Sequence, residues 1–84
     1  MTNNQVAVAK EDLRALVAGV LELDVEEVAD HTHFGNELGV DSLMLLDVAA
    51  RIEKRFGVKI GETEINEVES FAEVHELVLS KQNA

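Results

Sequence analysis

The chain contains no cysteine, no proline, no tryptophan and no tyrosine. Without cysteine there is no disulfide framework, no thiol nucleophile and no zinc-finger spacing. Three phenylalanines are the only aromatic residues, so a core has to be assembled mainly from Val, Leu, Ile and Ala. No apolar stretch is long enough to span a bilayer, and residues 1–9 lack the basic start and apolar run of a signal peptide. A cytoplasmic location without membrane contact is therefore expected. Basic residues are scarce too: 7 stand against 17 acidic ones, for a formal net charge of −10. Such a chain repels the phosphates of nucleic acids and anionic membranes, and favours partners with basic docking patches.

What is present suffices for one small core. With 84 residues and 46% hydrophobic content, the chain reads as a single domain spanning 1–84 rather than a disordered tail. Per-residue scaling puts its stability on the order of 4–13 kcal/mol. No repeat, linker or low-complexity tract divides it. The ends, 1–9 and 81–84, are expected to be flexible, and the protein to be a monomer.

Leu13, Leu16, Val17 and Val20 follow the i, i+3, i+4, i+7 spacing of an amphipathic helix from about Lys10 to Leu23. Glu11 and Asp12 in its first turn suit the helix dipole. Residues 24–41 lose that period and become acidic and polar. Val25, Val28, Phe34 and Leu38 are the apolar anchors expected to pin this long loop. Asp24-Val25-Glu26-Glu27 resembles a weak capping box for a single turn. A second long helix is predicted from Ser42 to Phe56, with Leu45, Ala49, Ile52 and Phe56 as its inward stripe. Asp41 is its N-cap and Gly57 its left-handed terminator. Val58 and Ile60 then tuck inward, and a short helical turn is expected around Thr63 to Val68. Ser70-Phe71-Ala72-Glu73 reads as a capping box opening a last helix that faces Phe71, Val74, Leu77 and Val78 to the core. The fold class is all-α: a small four-helix bundle of three long helices and one short, with a long loop between the first and second.

Taken alone, a serine at a helix start is a cap or a harmless first-turn residue. Here Asp41 supplies the cap, worth about 1 kcal/mol. Ser42 is then free to point its oxygen outward, beside N–H groups that lack intrahelical partners. A phosphate ester formed there lies at the positive end of the helix dipole, although Asp41 opposes it locally. Leu43 and Met44 fall off the inward stripe, and large apolar groups beside Ser42 point to contact with a partner. For Met44, covering the loop 24–41 is an equal alternative.

Phe34, then Leu38-Gly39-Val40-Asp41-Ser42-Leu43, then an amphipathic helix ending Arg55-Phe56-Gly57-Val58, resembles the acyl carrier proteins from Leu13 to about Leu79. The resemblance implies that a phosphopantetheinyl transferase moves 4′-phosphopantetheine from coenzyme A, with Mg²⁺, onto Ser42. The thiol of that arm would hold acyl groups as thioesters. It implies that Asp41 positions the serine and metal during transfer. Leu43, Leu46, Asp47 and Ala50 would lie on the face gripped by acyl-loading, condensing or tailoring enzymes, with Met44 and Lys54 beside them. The protein would be a carrier and no enzyme, since the chemistry belongs to the cofactor and its partners.

One departure bears on the pathway. Met44 stands where carriers of bacterial fatty acid synthesis tend to have an acid, and Arg51, Lys54, Arg55 and Lys59 give residues 42–60 a net charge of +2. That favours a stand-alone carrier of a polyketide or mixed polyketide–nonribosomal pathway. Gly39-Val40 replaces the Gly-Gly pair of peptidyl carriers, which makes an aminoacyl cargo the second reading. A small acidic helical interaction protein without a prosthetic group is the non-carrier alternative.

Other chemistries fit poorly. Val40-Asp41-Ser42-Leu43-Met44 lacks the glycines of a nucleophile elbow, and 84 residues leave little room for a triad, an oxyanion hole and a cleft. His31 and His33 are spaced to share an ion, but no second pair completes a site, and solvated loop residues are the simpler reading. His75, beside the apolar stripe of the last helix, reads as boundary packing. The acidic run at 24–30 lacks the spacing and central glycine of an EF-hand. Glu62, Glu64, Glu67 and Glu69 read as a solvated face. If self-repulsion weakens so acidic a fold, raising the salt to about 0.1 M or above raises the melting temperature, because ions then screen charges beyond about 10 Å. A melting temperature independent of salt contradicts this.

Overall fold

The structure, a computed structural model, describes residues 9–83. They form α1 (Lys10–Leu21), a 3₁₀ turn (Val25–Glu27), α2 (Phe34–Leu38), α3 (Ser42–Phe56), α4 (Glu62–Asn66) and α5 (Phe71–Asn83). Three helices are long and two are short, and no strand occurs among the described residues. The expected looseness of residues 1–8 and 84 lies outside the described residues. α5 continues to Asn83, and Lys81 in its last turn pairs with Glu64 at 2.6 Å.

Each long helix buries one stripe. Leu13, Val17 and Leu21 of α1 meet Leu45, Val48 and Ile52 of α3, and Phe71, Val74 and Val78 of α5 close the core. Ile65 of α4 is fully buried, which is how so short a helix is held in place. Val58 and Ile60 also turn inward as their pattern predicts. Phe56 and Leu77, expected in the inward stripes, lie half-buried at the edge.

Three expectations are corrected. α1 stops at Leu21 rather than Leu23, because Glu22 takes a left-handed conformation (φ 61°) and the Leu23 N–H closes back on the Ala18 carbonyl at 2.9 Å. A short helix, α2, occupies part of the stretch expected to be loop. Its N-cap is His33, whose Nδ1 accepts the Asn36 N–H at 2.9 Å. Val25 is no anchor: it is 43% exposed, because the 3₁₀ turn rolls it outward, while Val28 and Phe34 do pack inside.

Carboxylates close the starts of the short elements. Glu27 accepts the Asp24 N–H at 3.0 Å, Glu37 that of His33 at 3.0 Å, and Glu64 that of Gly61 at 2.9 Å. At α5 the expected box is shifted by one residue: the Glu73 carboxylate accepts from the Glu69 N–H at 2.9 Å, with Ser70 buried beside it. Glu64, which read as part of a solvated face, therefore also satisfies a backbone donor that would otherwise have no acceptor.

The long connector between α1 and α3 is held against α5. The Phe34 N–H donates to the Glu69 carbonyl at 2.8 Å, and the Ala72 N–H to the Asp30 carbonyl at 2.9 Å. Arg14 of α1 reaches the same region, donating to the Val28 carbonyl and to the Asp30 carboxylate. Its guanidinium also lies 4.4 Å from the centre of the Phe71 ring, and His75 stacks on that ring at 6.2 Å. Arg14 thus joins α1, the connector and α5 through one side chain. His75 packs at the boundary, where burial pushes its pKa down.

Lys10, 2.7 Å away, and then Arg14 hydrogen-bond the Asp30 carboxyl and hold its pKa down at about 2, against an ordinary value of 3.8. A depressed carboxyl stabilises the fold above its unfolded pKa, and that contribution disappears as the pH falls through the folded one. Acid titration is therefore expected to weaken the fold between about pH 4 and pH 2. Asp30→Asn should flatten this part of the pH–stability curve and lower stability at neutral pH. An unchanged curve in the variant contradicts the assignment.

Candidate functional site

The chain has three serines, at 42, 70 and 80. Ser70 is buried, and Ser80 is exposed in the last turn of α5, at the opposite end of a helix from the free N–H groups. Ser42 is exposed, is the first residue of α3, and its hydroxyl makes no hydrogen bond among the described residues.

The residues before it explain that placement one by one. α2 ends at Gly39, which adopts φ 68°, and the Val40 N–H donates back to the Phe34 carbonyl at 2.9 Å. This left-handed exit reverses the chain, a geometry glycine adopts without strain. Val40 then drops into the core at 8% exposure and fixes the depth of the turn. Asp41 is extended (φ −108°, ψ 179°), and its Oδ1 accepts the Met44 N–H at 3.0 Å. Its carbonyl accepts the Leu45 N–H at 3.1 Å. With the cap position filled by Asp41, the Ser42 hydroxyl has no backbone duty.

The electrostatics around that hydroxyl are mixed. The Ser42 and Leu43 N–H groups belong to the first turn of a 15-residue helix, so they have no intrahelical acceptor and face a positive dipole end. Asp41 sets a negative charge beside them. A shallow cleft of about 290 Å³ opens next to Ser42, rimmed by His33, Asp41, Asn66 and Glu69 over Val40 and Val68. His33 has Nδ1 occupied by the α2 cap and Nε2 3.9 Å from the Glu69 carboxylate, and among the described residues no three His, Cys, Asp or Glu side chains converge to hold a metal ion.

Of the residues named as a docking face, Leu43 stands out at 75% exposure. Asp47, Ala50 and Lys54 are exposed along the same outer side of α3, at helical spacings of three and four. Met44 and Leu46 are half-buried and pack against the core, so they offer edges rather than whole side chains. His33 escaped notice as a cap because histidine is not among the usual capping residues. Glu37, four residues on, was the available signal.

A family model, the phosphopantetheine attachment site, matches residues 11–78. The polyketide-8 synthase acyl carrier protein 2 of Streptomyces avermitilis is 48% identical over 75 residues, covering 89% of this chain and 86% of the relative. The acyl carrier protein of Treponema denticola is 31% identical over 70 residues, covering 83% and 90%. Among solved structures, the 3,5-dioxohexyl carrier of the actinorhodin polyketide synthase from Streptomyces coelicolor, a triketide mimic, is 26% identical with a TM-score of 0.76, covering 92% and 93%. Its 3-oxo-butyl counterpart superposes with a TM-score of 0.75, covering 90% of this chain and 92% of its own.

The family match over most of the chain, with carrier relatives along nearly its whole length and an all-helical fold shared with solved carriers, defines the class as a carrier, a protein that transports a covalently bound group and leaves the catalysis to others. The chain belongs to the phosphopantetheine attachment-site family of acyl carrier proteins. The group that this family bears is 4′-phosphopantetheine. The residues suit it: the hydroxyl is free, the first-turn amides suit a phosphate, and the neighbouring cleft has a polar rim.

The Gly39 reversal is testable without any partner. A Cβ at Gly39 would meet nothing within 4 Å, so Gly39→Ala should cost only backbone strain, about 1 kcal/mol in denaturant unfolding. A neutral substitution would mean that the left-handed exit is not maintained in solution.

Proposed function

We propose that Ser42 bears the 4′-phosphopantetheine arm and that the protein carries acyl intermediates of polyketide-type biosynthesis between partner enzymes. The observation that carries this reading is the exposed Ser42 hydroxyl, unpartnered at the head of α3 because Asp41 holds the cap. The polyketide assignment draws on the 48% identity to a polyketide synthase carrier. When attached, the arm supplies a terminal thiol that forms thioesters. The chain's own residues do three things. Asp41 orients the first turn of α3 so that the Ser42 oxygen faces outward, and its second carboxylate oxygen is left available to a metal ion during phosphopantetheinyl transfer. The first-turn N–H groups favour the phosphate once it is in place. Leu43, with Asp47 and Ala50 behind it, offers an apolar and acidic contact face to the transferase and to the acyl-loading, condensing or tailoring enzymes. The protein acts as a cytoplasmic monomer in this reading, since each step needs one exposed face and one serine.

Incubation with coenzyme A, Mg²⁺ and a broad-specificity phosphopantetheinyl transferase should raise the intact mass by one phosphopantetheine, and Ser42→Ala should abolish that gain without unfolding the chain. Asp41→Asn keeps a capping oxygen and should preserve stability to within about 0.5 kcal/mol, while slowing modification. Asp41→Ala loses the cap as well and should cost about 1 kcal/mol. An unchanged mass for the parent protein contradicts the reading, and full-rate modification of Asp41→Asn removes the metal role of Asp41.

A further inference from the structure

Six of the seven basic residues of this chain fall into two groups, and the seventh, Lys59, is exposed on the connector after α3. Lys10, Arg14 and Lys81 are all paired with carboxylates, at 2.5 to 2.9 Å. Arg51, Lys54 and Arg55 are not: among the described residues no carboxylate lies within ion-pair distance of any of them, although the chain has 17 acids. Asp47, one turn before Arg51, does not reach it, and Arg55 lies instead 5.3 Å from the ring centre of Phe56. All three cations are exposed and line one open cleft of about 810 Å³ between α1 and α3. The facing wall is Leu16, Gly19 and Val20 of α1. Leu16 and Val20 are half-buried with open edges, and nothing approaches within 4 Å of where a Gly19 side chain would begin. Lys54 and Arg55 have a local duty at the C-terminal end of α3, where cations favour the dipole. That duty does not extend to Arg51, which lies a turn earlier and lines the cleft with them.

We infer that this cleft is a docking site for an acidic, aliphatic-bearing helical segment of a partner enzyme, whose carboxylates pair with Arg51, Lys54 and Arg55 while its apolar side chains cover Leu16 and Val20. The inference rests on the carrier reading and deepens it by naming the partner's chemistry. Charge complementarity selects the occupant. The body carries −10, so a wholly acidic partner is repelled at long range. Attraction to the three cations acts only within about 8–10 Å at ordinary salt. The partner that fits is therefore bipartite, with a basic surface for the acidic body and a small acidic projection for the cleft. The helical rise of about 1.5 Å per residue sets Arg55 roughly 20 Å along α3 from Ser42. Two contacts of opposite sign at that separation fix the direction in which the carrier docks, and hence where Ser42 arrives on the partner.

The test titrates the ¹⁵N-labelled full chain, after treatment with coenzyme A and transferase, with a 14-residue helical peptide of Glu-Glu-Leu-Leu repeats at about 0.15 M salt, where repulsion from the acidic body is screened beyond about 8 Å. Amide shifts are expected to concentrate on Leu16, Gly19 and Val20 and on Arg51 to Arg55. The R51E/K54E/R55E variant should weaken the interaction roughly tenfold or more, and the neutral R51Q/K54Q/R55Q variant, which avoids new repulsion, by an intermediate amount. Shifts located elsewhere, or unchanged affinity in both variants, would overturn the proposal. So would inorganic phosphate alone producing the same saturable shifts, which would mark a small-anion site, or dilution alone moving these resonances, which would mark self-association. The mass gain at Ser42 is read in the same samples. Its absence refutes the carrier reading while leaving the peptide result interpretable, because the cleft does not include Ser42.

Discussion

The hydrogen bond from the Met44 N–H to the Asp41 carboxylate is the interaction on which the presentation of Ser42 depends. It sets the first residue of α3, and it fills a cap position that a serine would otherwise occupy. The turn leading to it is over-determined. Gly39 permits the reversal, Val40 anchors it in the core, and the Phe34 carbonyl binds the Val40 amide. Phe34 in turn is tied to the Glu69 carbonyl at the threshold of α5. A chain of short-range constraints thus runs from the bundle core to one hydroxyl, and ends with that hydroxyl unbonded. For a carrier this is the useful outcome, since a serine engaged in its own fold would have to be released before it could be modified.

Charge serves two purposes in the same molecule. Part of the acid excess is structural: Glu27, Glu37, Glu64 and Glu73 each accept a backbone amide near a helix start, and Glu53 accepts that of Ile60 at 2.9 Å. With no disulfide and only three aromatic residues, a chain of this size has few other ways to define the ends of elements five residues long. The cations are similarly divided. Arg14 and Lys10 brace the connector through Asp30, whereas those on the second half of α3 remain unpaired beside α1. The first group maintains the fold, and the second is left over for contact with something outside it.

How far the sequence could be read depended on how local each determinant was. The limits of α3, Ser42 to Phe56, were legible because both ends carry their own signal, Asp41 as cap and Gly57 at φ 74° as terminator. The placement of Ser42 was legible for the same reason, since Gly39, Val40 and Asp41 set its exposure within four residues. α2 was not, because its cap is a histidine ring and its stability comes from a bond to Glu69, thirty-odd residues away. The end of α1 was missed where Glu22, not a glycine, takes the left-handed position. Nor could any pattern reveal Arg14 as a hub, because Val28, Asp30 and Phe71 meet it only in the folded chain. Val25 and Val28 look alike in sequence, and the 3₁₀ turn decides which of them is inside.

The account is tested most directly by finding where the prosthetic group sits. Fragmentation mass spectrometry of the modified protein, read peptide by peptide, assigns it to a single side chain. A phosphopantetheine confined to Ser42, with Ser70 and Ser80 unmodified, is the result this structure predicts. Modification at another residue, or a protein that stays unmodified although folded, would contradict it.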